Sequence, residues 1–124
     1  MAPDTLLHRQ INPSWIQEGR VSSQAFLPTQ KDEGLLSTYR GDLTAPEEAW
    51  RHFNFDLGRS SVGILGVQVS ECSSIGLQAR PDPTEFPEHA VIDFNGYGTK
   101  ENRRKASILR GNAEARGWLF EFVS

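Results

Sequence analysis

Short apolar runs separated by turn residues make up most of the chain, and only two stretches carry helical spacing. Leu6-Leu7-His8-Arg9-Gln10-Ile11 ends at Asn12-Pro13, and the residue before a proline avoids helix, so this run reads as a strand or extended entry segment. Arg20 to Phe26 alternates, with Val21, Ser23 and Ala25 on one face of a second strand. Leu27 to Gly34 is a loop containing Pro28, Asp32 and Gly34, and Leu35 to Tyr39 follows as a third strand. The N-terminal part is therefore expected to form a β-meander.

Thr44-Ala45-Pro46-Glu47 has the spacing of a capping box and predicts a helix from about Ala45 to Phe53, with Ala49, Trp50 and Phe53 on its apolar face. Val62 to Ser70 is the strongest strand, apolar on both faces over its first half, and is expected at the centre of the sheet. A turn or helical turn through Gly76 leads to Arg80-Pro81-Asp82-Pro83-Thr84-Glu85-Phe86-Pro87, where three prolines predict an extended surface connector outside the sheet. His89 to Phe94 reads as a strand and Asn95 to Gly98 as a turn. Thr99 is expected to cap a helix that runs to about Arg116 and stops at Gly117. Trp118 to Phe122 closes the chain as a strand with Trp118, Phe120 and Phe122 inward. This order lacks the βαβα alternation of a doubly wound sheet, so the fold class is α+β: one domain, residues 1–124, with a mixed sheet packed by two helices.

Composition narrows the function classes. A chain of 124 residues builds one core, and its single cysteine, Cys72, permits neither an internal disulfide nor a CxxC metal site. The start, Met1-Ala2-Pro3-Asp4, lacks a basic region followed by an apolar one, and no run suits a membrane span; a cytoplasmic protein is expected. A net charge of −3 gives no overall attraction to nucleic acid.

Candidate chemistry is sparse. Lys100, Arg103, Arg104 and Arg110 fall on one sector of the last helix, opposite Ala106, Leu109 and Ala113, and could face an acidic partner or simply solvent. Gly96-Tyr97-Gly98-Thr99-Lys100 precedes that helix but matches neither phosphate-binding glycine pattern. Glu88 and His89 are adjacent at a strand mouth, so they point to opposite faces and make a poor acid–base pair. His8, His52 and His89 have no metal-ligand spacing. Cys72 reads as a small buried hydrophobe, and Ser22-Ser23 and Ser37-Thr38 as sheet positions without a nucleophile elbow around them.

Leu7-His8-Arg9, Gly19-Arg20-Val21-Ser22-Ser23-Gln24-Ala25-Phe26, Leu36-Ser37-Thr38-Tyr39 and Pro87-Glu88-His89-Ala90 resemble the marks of a family of small, uncharacterised bacterial proteins, from Leu6 to Trp118. That resemblance implies a bacterial cytoplasmic origin and no activity. The chain is also similar, more faintly, to the RES-type toxins of the ADP-ribosyltransferase superfamily, although it lacks their glycine-rich Arg-Trp-Asn segment. That resemblance implies NAD as cofactor, held between the first strand and Leu36–Tyr39: Arg9 on a phosphate, Tyr39 stacked on a ring, with Ser37 and Glu47 completing the site.

The leading expectation from the residues is a non-enzymatic accessory module that contacts another protein and needs no cofactor. Its expected surfaces are the connector Arg80 to Pro87, with Glu88 and His89 beside it, and the basic helix Lys100 to Arg116 carrying Arg103, Arg104 and Arg110.

Overall fold

Alternating apolar positions give the main sheet two buried faces, and helices of unequal size cover them. The structure is a computed structural model and describes residues 1–123. The strands are β1 (Leu6–Gln10), β2 (Ile16–Gln17), β3 (Arg20–Val21), β4 (Leu35–Arg40), β5 (Gly63–Gln68), β6 (Gln78–Pro81), β7 (His89–Asp93) and β8 (Phe120–Glu121); the helices are α1 (Pro46–Arg51), α2 (Val69–Ser73) and α3 (Thr99–Arg116). Six strands form one sheet in the order β6-β7-β4-β1-β5-β8, while β2 and β3 pair separately. The α+β class holds, and every neighbouring pair is antiparallel rather than mixed.

One face carries Leu7, Ile11, Leu36, Leu65, Val67 and Ile92 and packs against Ala106, Leu109 and Ala113 of α3, with Ala25 and Phe26 completing the core. The other carries Tyr39 and Ile64 and packs against Ala49 and Trp50 of α1, with Phe53, Phe86, Leu119 and Phe120 around them.

Several expected elements shift. The strand Val62–Ser70 is buried on both faces as β5, but β4 and β1 hold the centre of the sheet; β5 lies next to the edge strand β8, which covers only Gly63 and Ile64. Its last residues turn into α2. Arg20–Phe26 is not one strand: only Arg20–Val21 pairs, and Ser23–Phe26 forms a 3-10 turn. The reason is that Ala25 and Phe26 are adjacent and both fully buried, which a strand with alternating faces cannot achieve. The meander is absent because β1 pairs directly with β4. Arg80 and Pro81, assigned to a connector, belong to β6; at a sheet edge the missing proline N–H leaves no ladder bond unmade.

The cap of α1 moves by one residue. Pro46 takes the first helical position, so Ala45 is the N-cap and Glu48, not Glu47, accepts its N–H at 3.1 Å. The helix then widens into one π turn over His52–Asp56. Gly98 precedes α3 where Thr99 was expected to cap it, and Gly117 ends it with φ 86° as expected. The final strand is shorter than its alternation suggests. Trp118 packs beside the α3 core, Phe120 packs on the other face, and Phe122 is 49% exposed while stacked 4.8 Å from Trp50.

Polar side chains fasten these layers. Arg116 donates to the Gly66 carbonyl at 2.8 Å and to both Glu71 carboxylate oxygens at 3.0 Å, and Glu71 also accepts the Gln68 N–H at 2.7 Å. The end of α3 is thereby tied to the β5–α2 junction. At the other end Lys105 donates to the Ile75 carbonyl, with its ammonium 4.2 Å from the Tyr97 ring centroid. The Tyr97 hydroxyl donates to the Gly76 carbonyl at 2.6 Å. Gly76 has φ 80°, and a Cβ there would lie 2.7 Å from that hydroxyl, so only glycine fits.

Two predictions follow from buried titrating groups. Burial alone would raise the Glu71 pKa, but hydrogen bonds from Arg116 and Gln68 outweigh it and hold the carboxyl below its ordinary 4.5. The carboxylate therefore stabilises the fold at neutral pH, and that contribution disappears as pH falls through the depressed value. Arg116→Met should cost about 2–3 kcal/mol in urea unfolding at pH 7, and less at acid pH where Glu71 is protonated. His8 is held neutral: burial lowers its pKa from 6.5, opposed only in part by the Thr44 carbonyl 3.2 Å from Nε2. Stability from neutral His8 is complete above 6.5 and lost as pH falls below it. His8→Gln should flatten the fall of Tm as pH drops below 6.5.

Candidate functional site

Helix α3 seats its alanine and leucine stripe on the sheet, which leaves one flank facing the β2–β3 ribbon and the 3-10 turn after it. Arg103 and Arg110 are seven residues apart, close to two full turns, so both stand on that flank. Arg110 lines a cleft of about 480 Å³ with Gln17, Glu18, Arg20, Val21, Ser22 and Ser23. Arg103 lines a second, of about 370 Å³, with Gln17, Ser22, Ser23, Gln24, Leu27 and Ser107. The shared residues Gln17, Ser22 and Ser23 join the two clefts into one trough.

Most arginines in this protein are occupied by structural duties. Arg9 donates to the carbonyls of Ala25 and Ser37, at 2.7 and 2.8 Å, and Arg116 to Gly66 and Glu71. Arg20, Arg40, Arg51, Arg80 and Arg104 donate to Glu114, Asp42, Glu47, Asp93 and Glu101. Arg59 sits over the Phe53 ring at 5.9 Å. Arg103 and Arg110 donate no hydrogen bond to any described residue. The nearest carboxylate to Arg110 is Glu114, 3.8 Å away, and both its oxygens are already held at 2.9 Å by Arg20. That bidentate bond, opposed by burial and aided by the charges of Arg20 and Arg110, keeps the Glu114 carboxyl below its ordinary range.

The walls of the trough are donor-rich. The buried Arg110 Nε and Ser22 Oγ have no partner, and a buried donor left unmet costs about 1–3 kcal/mol, which a bound acceptor would recover. Glu18 at the tip of the ribbon is the one further carboxylate lining either cleft.

The other residues singled out from the sequence do not meet here. Lys100 is exposed and Arg104 turns to Glu101 at 3.0 Å; neither lines the trough. Arg80 pairs with Asp93 across β6 and β7 at 2.8 Å. The His89 Nδ1 lies 2.9 Å from the Asp82 carbonyl, and the Glu88 backbone carbonyl accepts the Arg40 N–H, so this pair stabilises the β7 entrance. Tyr97 binds its own neighbourhood, which accounts for Gly96–Lys100 as a structural turn.

The residues of the NAD reading are not gathered in one pocket. Tyr39 pairs with His8 across β4 and β1, while Arg9 projects from the opposite face of β1, beside Ala25 and 5.0 Å from the Trp15 ring. β1 and β4 are hydrogen-bonded neighbours at Leu7 and His8, and where they diverge the space is taken by the Arg9 guanidinium. Burial lowers the Arg9 pKa to about 10, and its donors fill the gap where β1 parts from β4. Tyr39 donates or accepts at 2.7 Å with His52 Nδ1, and burial pushes its phenol far above the ordinary value. Ser37 contributes a backbone carbonyl, and Glu47 forms an exposed pair with Arg51 at 3.1 Å. His8, His52 and His89 belong to no metal-binding group among the described residues. Cys72 is fully buried, and burial, aided by Glu71, pushes its thiol up to about 12, far from thiolate chemistry.

Gln17, Arg20, Ser22, Ser23, Gln24 and Ser107 were not recognised as site residues in the sequence. The available signal was the polar run Ser22-Ser23-Gln24 before the buried pair Ala25-Phe26, which marks a surface turn rather than a strand. Comparisons with protein-family models, curated proteins and solved structures found no match to this chain.

Proposed function

We propose that the protein is a non-enzymatic binding module that holds an acidic segment of another protein in the trough between α3 and the β2–β3 ribbon. The observation that carries this reading is the pair of guanidinium groups, Arg103 and Arg110, which donate no hydrogen bond to a described residue; the carboxylate 3.8 Å from Arg110, Glu114, is already held through both oxygens by Arg20. Their Cα atoms are separated by about 10 Å of helix rise. A polyproline II segment has three residues per turn and advances about 3.1 Å per residue, so acidic side chains three residues apart share one face and would meet both. Arginine suits this role because its fork can grip a carboxylate through two parallel hydrogen bonds.

Such a module needs no cofactor. In this reading the setting is a reducing cytoplasm, which suits the lone buried thiol of Cys72, and among the described residues no helix is long and apolar enough to cross a membrane.

Fluorescence anisotropy with a labelled peptide bearing glutamate at every third position tests the reading. Wild-type protein should bind it in a salt-sensitive manner, and Arg103→Glu with Arg110→Glu should weaken binding by about tenfold or more. Arg104→Glu should leave binding and Tm unchanged, since surface substitutions usually shift stability within about 0.5 kcal/mol, and Arg103→Gln with Arg110→Gln, which removes the charges without setting a second carboxylate beside Glu114, should weaken binding in the same direction. Undiminished binding by the double variant would refute the proposal.

A further inference from the structure

The two ends of the trough are chemically different. At the Arg103 end the lining includes Leu27 and a single cation. The Arg110 end is the larger, at about 480 Å³, and donors converge on it from three elements: Arg110 from α3, Arg20 and Gln17 from the ribbon, and Ser22 and Ser23 from the turn. Arg20 uses Nε and Nη2 on Glu114, which leaves Nη1 free and fixes its plane against the helix. Arg110 donates no hydrogen bond to a described residue, its Nε standing 3.8 Å from Glu114, and the Ser22 hydroxyl is without a partner.

A carboxylate offers two oxygens whose acceptor sites lie in one plane, so donors set on three walls are met more fully by a third oxygen out of that plane. A phosphate monoester offers three terminal oxygens in a tetrahedral array, with about −1.5 to −2 charge near pH 7. Glu114 is neutralised by Arg20, leaving Glu18 at the rim as the carboxylate that opposes such a ligand.

We infer that the cleft between Arg110, Arg20, Ser22 and Ser23 is a phosphate-monoester site, so that the segment bound in the trough carries a phosphorylated residue. This inference rests on the acidic-segment reading above and names the group that occupies its wider end. Binding here is reversible recognition with no bond made or broken. The Arg110 fork closes on two phosphate oxygens, and the serine hydroxyls donate to the third.

Three versions of one acidic peptide, with serine, aspartate or phosphoserine at the centre, separate the two ideas, and inorganic phosphate serves as competitor. The phosphoserine peptide should bind about tenfold more tightly than the aspartate peptide, the gain expected from one or two added charge-assisted hydrogen bonds. Arg110→Lys, which keeps the charge but loses the fork, should erase most of that preference, as should Ser22→Ala with Ser23→Ala. Arg103→Gln should weaken the phosphoserine and aspartate peptides by the same factor. Millimolar inorganic phosphate should displace the phosphoserine peptide selectively. Equal affinity for the phosphoserine and aspartate peptides would overturn the phosphate site while leaving the acidic-segment reading standing. If no peptide binds, that reading falls with it; protection by inorganic phosphate of the Ser22 and Ser23 amide signals would then show a site for a free small phosphate and overturn the phosphopeptide assignment.

Discussion

The seat of α3 on the sheet is the contact on which the remaining structure depends. Ala106 and Ala113 are small enough for the helix backbone to approach β5 closely, and Leu109 packs in the same core. With that face fixed, the rest of the helix has no rotational freedom, and each polar residue on it acquires a definite neighbour. Lys105 reaches the end of α2, Glu114 meets Arg20 of the ribbon, and Arg116 closes on Glu71. The trough is a consequence of the same seating: it is the space left where a cylindrical helix runs beside a narrow two-stranded ribbon.

Electrostatics in this protein is local rather than global. The chain is acidic overall, and six of its carboxylates are engaged one by one: Asp42, Glu47, Glu71, Asp93, Glu101 and Glu114 each hold an arginine. Pairing of this kind contributes little stability where it is exposed. Its larger effect is to occupy most of the arginines, which leaves Arg103 and Arg110 on the flank of α3 without a hydrogen-bonded carboxylate. A ligand at that flank would sense two cations and a row of hydroxyl and amide donors with little nearby opposition.

The opposite face of the sheet is differently built. Tyr39, His52, Phe86 and His89 form a contiguous aromatic group, with ring centroids 4.6 to 5.6 Å apart. Phe86 occupies its middle, so the group is a packed cluster rather than a receptacle. Arg9, on the other face, is equally committed, since two backbone carbonyls depend on its guanidinium where β1 parts from β4. Residue types suited to nucleotide chemistry are therefore present in the chain but serve packing and carbonyl satisfaction.

Local sequence rules were sufficient for much of the fold. Periodicity located β1, β4, β5, β7 and α3, and Gly117 marked the end of α3, because these features depend on neighbours within a few residues. They also placed Arg103 and Arg110 together, since residues two turns apart on a helix share a face whatever surrounds it. Sheet order was not legible. An apolar run says that a strand is buried on both faces, and β5 meets that condition beside the edge because α3 covers one face and α1 the other. Nor could Pro81 be read as a strand residue, since only its edge position makes the missing donor harmless. The opposite wall of the trough, Ser22 to Gln24, was set by the burial of Ala25 and Phe26, a demand of the core that turned an alternating sequence into a 3-10 turn. The sequence by itself determined which residues could carry charge on α3, and tertiary packing decided which of them lack an internal partner, because hydrogen-bond acceptors for a guanidinium come from segments far away in the chain.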